Sequence, residues 1–94
     1  MIKATTQHGT YYLIDDENGR AMRVKAEDRN DMYGDGDWFY FSRYYPMSRK
    51  DPFKSAGEIG MVQVGWSIYF DLIGQPFRDY DWRLSTDVVS VEEV

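Results

Sequence analysis

Apolar and polar residues alternate along most of this chain with a period of two, the spacing of a half-buried β-strand rather than of a helix. The clearest run is MVQVGWSIYFDL, in which Val62, Val64, Trp66, Ile68 and Phe70 share one face, with Gln63, Gly65, Ser67, Tyr69 and Asp71 opposite. Two more alternating runs flank Asn18-Gly19 in TYYLIDDENGRAMRVKA, a strong hairpin signal. A two-residue turn there sets Leu13 against Val24 and Asp15 beside Met22. A three-residue loop with Gly19 left-handed instead pairs Tyr12 with Val24 and Ile14 with Met22. The second register gathers the apolar side chains and leaves Arg23 and Lys25 outside, so it is preferred.

Residues 38–45 are aromatic on both faces: Trp38, Tyr40 and Tyr44 alternate with Phe39, Phe41 and Tyr45. Tyr80, Trp82 and Leu84 make another short alternation, Val89 and Val91 mark a final strand, and Ile2 and Ala4 mark a first one. Helix is limited to a turn or two around Ala26 to Met32 or Ser55 to Ile59. The expected fold is therefore mainly β. It is a small antiparallel barrel or rolled sheet of five to six strands, SH3-like or OB-like in size, forming one domain over residues 1–94. The expected core is Tyr12, Ile14, Met22, Val24, Val62, Val64, Trp66, Ile68, Phe70, Trp82, Leu84 and Val89.

Composition changes this picture in two respects. Aromatic residues are 17% of 94, so a core of modest size is still well supplied with large rings. Cysteine is absent, which removes disulfides, thiolate metal sites and cysteine nucleophiles and leans toward a cytoplasmic setting. No stretch is apolar enough for a membrane span or a signal peptide, so a cytoplasmic protein with no membrane partner is expected. The formal charge of −5 opposes nucleic-acid phosphates unless a basic patch is strongly local.

Candidate chemistry is sparse. Asp31, Asp35 and Asp37 surround Gly36 in the manner of a calcium loop, but the twelfth position falls on Ser42, which cannot supply a bidentate carboxylate. These aspartates read better as a solvated turn, and no metal or cofactor is expected. His8, the single histidine, has no nucleophile elbow or second imidazole beside it. Asp79 and Asp81 share a strand face, but no nucleophile or orienting group accompanies them, so the chain reads as non-enzymatic. Arg43, Arg49, Lys50 and Lys54, interleaved with Tyr44, Tyr45 and Phe53, have the composition of a single-stranded nucleic-acid platform, interrupted by Asp51. The larger signal is the surplus of rings. Phe39, Phe41, Arg43 and Tyr45, with Tyr11 and Tyr69 nearby, are the expected partner-binding residues, because exposed Tyr, Trp and Arg characterise protein interfaces. A homodimer pairing through strand edges would use the same surplus.

The segments WRLSTDVVSVEEV, VGWSIYFDL and HGTYYLID resemble the small orphan β proteins of actinobacterial tailed phages, which share a hairpin-first layout, a Val-Gly strand and a closing Ser/Thr-x-Val-Val segment. The resemblance carries no active residues over. It implies an accessory protein in the host cytoplasm that works by binding a host or partner protein.

Overall fold

The structure is a computed structural model, and it describes residues 1–26, 35–50, 57–73 and 82–94. Among these residues seven strands form one antiparallel sheet: β1 (Ile2–Thr6), β2 (Tyr11–Asp15), β3 (Arg20–Val24), β4 (Trp38–Met47), β5 (Ser67–Ile73), β6 (Trp82–Leu84) and β7 (Val88–Glu93). The fold is mainly β, as the alternation predicts, with seven strands in place of five or six. Strand order is β6-β5-β4-β3-β2-β1-β7, so the two edge strands are consecutive in sequence.

That order forces the sheet to roll. Laid flat, seven strands would hold β6 and β7 roughly 29 Å apart, at about 4.8 Å per strand. Residues 85–87, which join them, span at most about 14 Å. The edges meet at one corner: Ser85 N–H donates to Ile68 O (3.0 Å), Val88 N–H to Trp66 O (2.9 Å) and Gly65 N–H to Val88 O (2.8 Å). The resulting body measures 29 × 28 × 25 Å.

The concave face holds the core: Ala4, Tyr12, Ile14, Ala21, Phe39, Phe41, Tyr44, Ile68, Phe70, Leu72 and Val88. Phe70 is its hub, with ring centroids of Phe39 at 5.1 Å, Tyr12 at 5.7 Å, and Phe41 and Tyr44 each at 5.8 Å. Edge-on geometry, such as the 87° between Phe39 and Phe70, sets the positive rim of one ring against the negative face of the other.

Four expectations are corrected. Neither hairpin register is present: Tyr12 lies opposite Arg23, Leu13 opposite Met22 and Ile14 opposite Ala21. The loop is longer than two or three residues, because a 3-10 turn at Asp16–Asn18 precedes Gly19, which is left-handed at φ 60° as expected. Met22 and Val24 therefore leave the core while Arg23 enters it. Second, β5 starts at Ser67, not near Met61. Gly65 at φ 91° sits just after residue 64 and turns the chain, so Val64 is exposed and Trp66 only partly buried, while Val62 packs against the core from outside the strand. Third, Trp82 and Leu84 pair with Asp71 and Tyr69 on the convex face, so Trp82 is exposed and Leu84 partly so, and Arg83 is the inward residue of β6. Fourth, Val88 rather than Val89 is the buried residue of β7, where the pairing with β1 shifts register between Thr5 and Thr6.

The expected helical turns fall largely on residues outside the described ones, as do Tyr80, Asp79 and Asp81.

Candidate partner-binding face

Residues 38–45 raise a packing problem, since a one-sided sheet cannot hide rings on both faces. The pairing of β4 with β5 resolves it. Phe41 lies opposite Leu72 and Arg43 opposite Asp71, so Ser42 is an extra residue, a β-bulge that reverses the alternation. Phe39 and Phe41 point inward before the bulge, and Tyr44 and Pro46 do so after it. Trp38, Tyr40, Arg43 and Tyr45 consequently share the convex face.

This arrangement divides the six residues expected to bind a partner. Phe39 (1% exposed) and Phe41 (8%) belong to the core and offer no surface, a correction to their expected exposure. Tyr11 is on the convex face of β2, level with Val24 and with Lys3 Nζ 4.5 Å from its ring centre, and β3 separates it from β4. Arg43, Tyr45 and Tyr69 are brought together, and Trp82, Tyr40 and Ile73 join them. Tyr45 lies opposite Tyr69 with ring centroids 5.1 Å apart, and Tyr69 stacks on Trp82 at 6.2 Å and 11°. In the next row Arg43, Asp71 and Trp82 stand side by side across β4, β5 and β6, and beyond them Tyr40 faces Ile73. Trp82, Tyr40 and Ile73 are each about half exposed, at 49%, 46% and 51%. Three half-exposed large side chains beside two partly covered tyrosines leave an apolar patch on the order of 400 Å², at the size where patches on monomers tend to be functional.

The electrostatics of the patch are nearly balanced. Arg43 Nε donates to Asp71 Oδ2, and the guanidinium lies 5.6 Å from the Tyr45 ring centre. Partial burial, with the Asp71 carboxylate beside it, pushes the Tyr69 hydroxyl above the usual tyrosine range, so it stays a neutral donor. Reasoning from sequence missed Trp82, Tyr40 and Ile73 as surface residues. Once β6 is placed on β5, the pairing Asp71 with Trp82 is the signal that puts this indole outside.

The basic residues are partly committed elsewhere. Arg49 Nε is shared between Ser67 Oγ (3.0 Å) and Ser85 O (2.9 Å), tying β4's exit to the corner where the edges meet, and Ser67 Oγ donates to Asp87 Oδ1 at 3.2 Å. Lys50 is exposed, and Lys54 lies outside the described residues. Of the three aspartates of the acidic turn, Asp31 also lies outside them. Asp35 is held by arginines: Arg23 Nη1 donates to its Oδ2, and Arg83 Nη2 is 3.9 Å from its Oδ1. Among the described residues no group of three His, Cys, Asp or Glu side chains is placed to hold a metal ion. No helix among them is long and apolar enough to cross a membrane.

No family model matches the chain, and comparisons with curated proteins and with solved structures gave no match either.

Proposed function

We propose that this protein is a non-enzymatic interaction module that binds a partner protein through the convex face of β4, β5 and β6. The observation that carries the reading is the ladder Tyr45–Tyr69–Trp82 with Arg43 at its side, large rings held in position across neighbouring strands, with Trp82 half exposed and the two tyrosines partly so. Rings pre-positioned in this way lose little conformational entropy on binding, which is why Tyr, Trp and Arg dominate interface energetics.

The partner's chemistry follows from charge. A chain of net charge −5 attracts a cationic surface, and the half-exposed rings of Tyr40 and Trp82 can take up Lys or Arg side chains by cation–π contact. The occupant is thus a protein surface that presents basic residues among apolar ones. The resemblance to phage accessory proteins supports a host protein in the host cytoplasm as that partner. A single-stranded nucleic acid is the weaker reading, because Tyr69 and Trp82 cover one another's faces, Arg43 is ion-paired and Arg49 is engaged in the fold.

The test is quantitative capture from lysate of the native host with the wild-type chain and with Tyr69→Ser/Trp82→Ser. A partner enriched by the wild type and lost by the folded double variant supports the face. Equal recovery by both overturns it.

A further inference from the structure

β7 is an edge of the sheet: β1 is its strand neighbour on one side, and every residue of the strand after Val88 is exposed. The direction of its unpaired backbone groups follows from one hydrogen bond. Val94 N–H donates to Met1 O at 2.8 Å. A residue's N–H and C=O point to the same side of a strand and alternate from residue to residue, so Ser90 and Glu92 face β1 while Val91 and Glu93 face outward. On that outward side Val88 is already engaged with residues 65 and 66. Val89 is the extra residue where the register with β1 shifts, so the regular free ladder runs from Ser90 to Glu93, with Val89 53% and Val91 41% exposed.

We propose that this edge pairs antiparallel with the same edge of a second copy of the chain, about a two-fold axis at Val91. The register is chosen by elimination. Centring on Glu92 or Glu93 sets carboxylate against identical carboxylate, which is destabilising for directly opposed pairs. Centring on Ser90 places the second copy's Glu92 beside Val88, on the side that residues 65 and 66 already occupy. Centring on Val91 places valine opposite valine, Glu92 opposite Ser90 and Glu93 opposite Val89. Glu92 is in addition 3.7 Å from Lys3 Nζ within its own sheet, which reduces its repulsion of a second copy. Self-pairing at this register satisfies the outward amides and covers the two exposed valines. It leaves the ring face of β4 to β6 free, so this inference does not depend on the function proposed above.

The chain contains no cysteine, which makes a clean test available. Directly opposed, hydrogen-bonded residues of an antiparallel pair have Cα atoms about 5.5 Å apart, within disulfide reach. Under mild oxidation Val91→Cys is expected to give a disulfide-linked dimer. Ser90→Cys, facing Glu92 rather than itself, should give several-fold less. For the wild type, light scattering should show a mass rising with concentration from 11.1 kDa toward twice that value, and Val91→Lys should abolish the rise while keeping the far-ultraviolet spectrum. A wild type that stays monomeric at every concentration overturns the proposal. So does a dimer indifferent to Val91→Lys, or one that links through position 90 as readily as through 91.

Discussion

Arg23 of β3 and Arg83 of β6 reach the same carboxylate, that of Asp35, from strands separated in the sheet by β4 and β5. The contact crosses the concave side of the rolled sheet, with all three side chains at or below about a tenth exposed. Arg83 also lies 5.1 Å from the Phe39 ring centre. Removing this carboxylate, the negative member among the described residues, leaves the two buried guanidinium groups without it, and breaking a buried pair in this way costs about 3–5 kcal/mol. Asp71, paired with the half-exposed Arg43, makes the contrasting case, since exposed pairs contribute about 0.2–1 kcal/mol. Denaturant unfolding should therefore show Asp35→Asn several times more destabilising than Asp71→Asn; equal losses would mean that the buried cluster does not hold the fold.

Tyr44 is a core ring with a polar end. Its hydroxyl lies 2.9 Å from Asp16 Oδ2 and 3.1 Å from Gly60 O, donating between them and so tying the hairpin loop to the segment before β5. Burial, and then the Asp16 carboxylate, push its ionisation well above the ordinary tyrosine value of 10.0. The folded state thus favours the protonated phenol. That contribution is fully present below pH 10 and declines as pH rises further, because the unfolded chain ionises first. Tyr44→Phe should cost about 1–2 kcal/mol at neutral pH by removing the hydroxyl's bond to the Asp16 carboxylate. The gap between wild type and variant should stay constant up to about pH 10 and narrow above it, as measured by urea unfolding at a series of pH values.

Tyr45 and Tyr69 are direct cross-strand neighbours on the convex face. Such ring pairs couple by about 0.5–1 kcal/mol beyond the area they bury. A double-mutant cycle with Tyr45→Ala and Tyr69→Ala should return a coupling of that size. A similar cycle with Tyr11 in place of Tyr45 should return none, since Tyr11 stands on β2 beside Lys3.

Much of the fold was legible in the alternation. The β class, the first hairpin with a left-handed Gly19, and Ile68 and Phe70 as inward residues all follow from a period of two. The hairpin register did not, because the rule that arginines stay outside was overruled by a distant residue: Asp35 supplies a countercharge to Arg23 within the sheet. The local chemistry that sets the longer loop is also visible only in three dimensions. The Asp15 carboxylate accepts from Asn18 Nδ2 at 2.8 Å and Arg20 Nε at 3.0 Å, which also lowers its ionisation below the usual carboxylate range. On the candidate face, the structure brings together Arg43, Tyr45 and Tyr69 of the expected residues. Phe39 and Phe41 were misplaced because a one-residue bulge at Ser42 leaves no mark in the hydrophobic pattern of a strand that is aromatic throughout. Trp82 was assigned inward and Arg83 outward by polarity alone, and the Asp35 contact reverses both.

The account rests on a division of the rings, with Tyr12 and Tyr44 enclosed and Tyr40 and Trp82 left open to a partner. Photochemically induced nuclear polarisation of the isolated protein reads that division directly, since a dye in solution reaches only accessible Tyr and Trp rings. Enhanced signals are expected from Tyr40 and Trp82 and none from Tyr12 or Tyr44. Silence from both Tyr40 and Trp82, with the protein folded, would contradict the account.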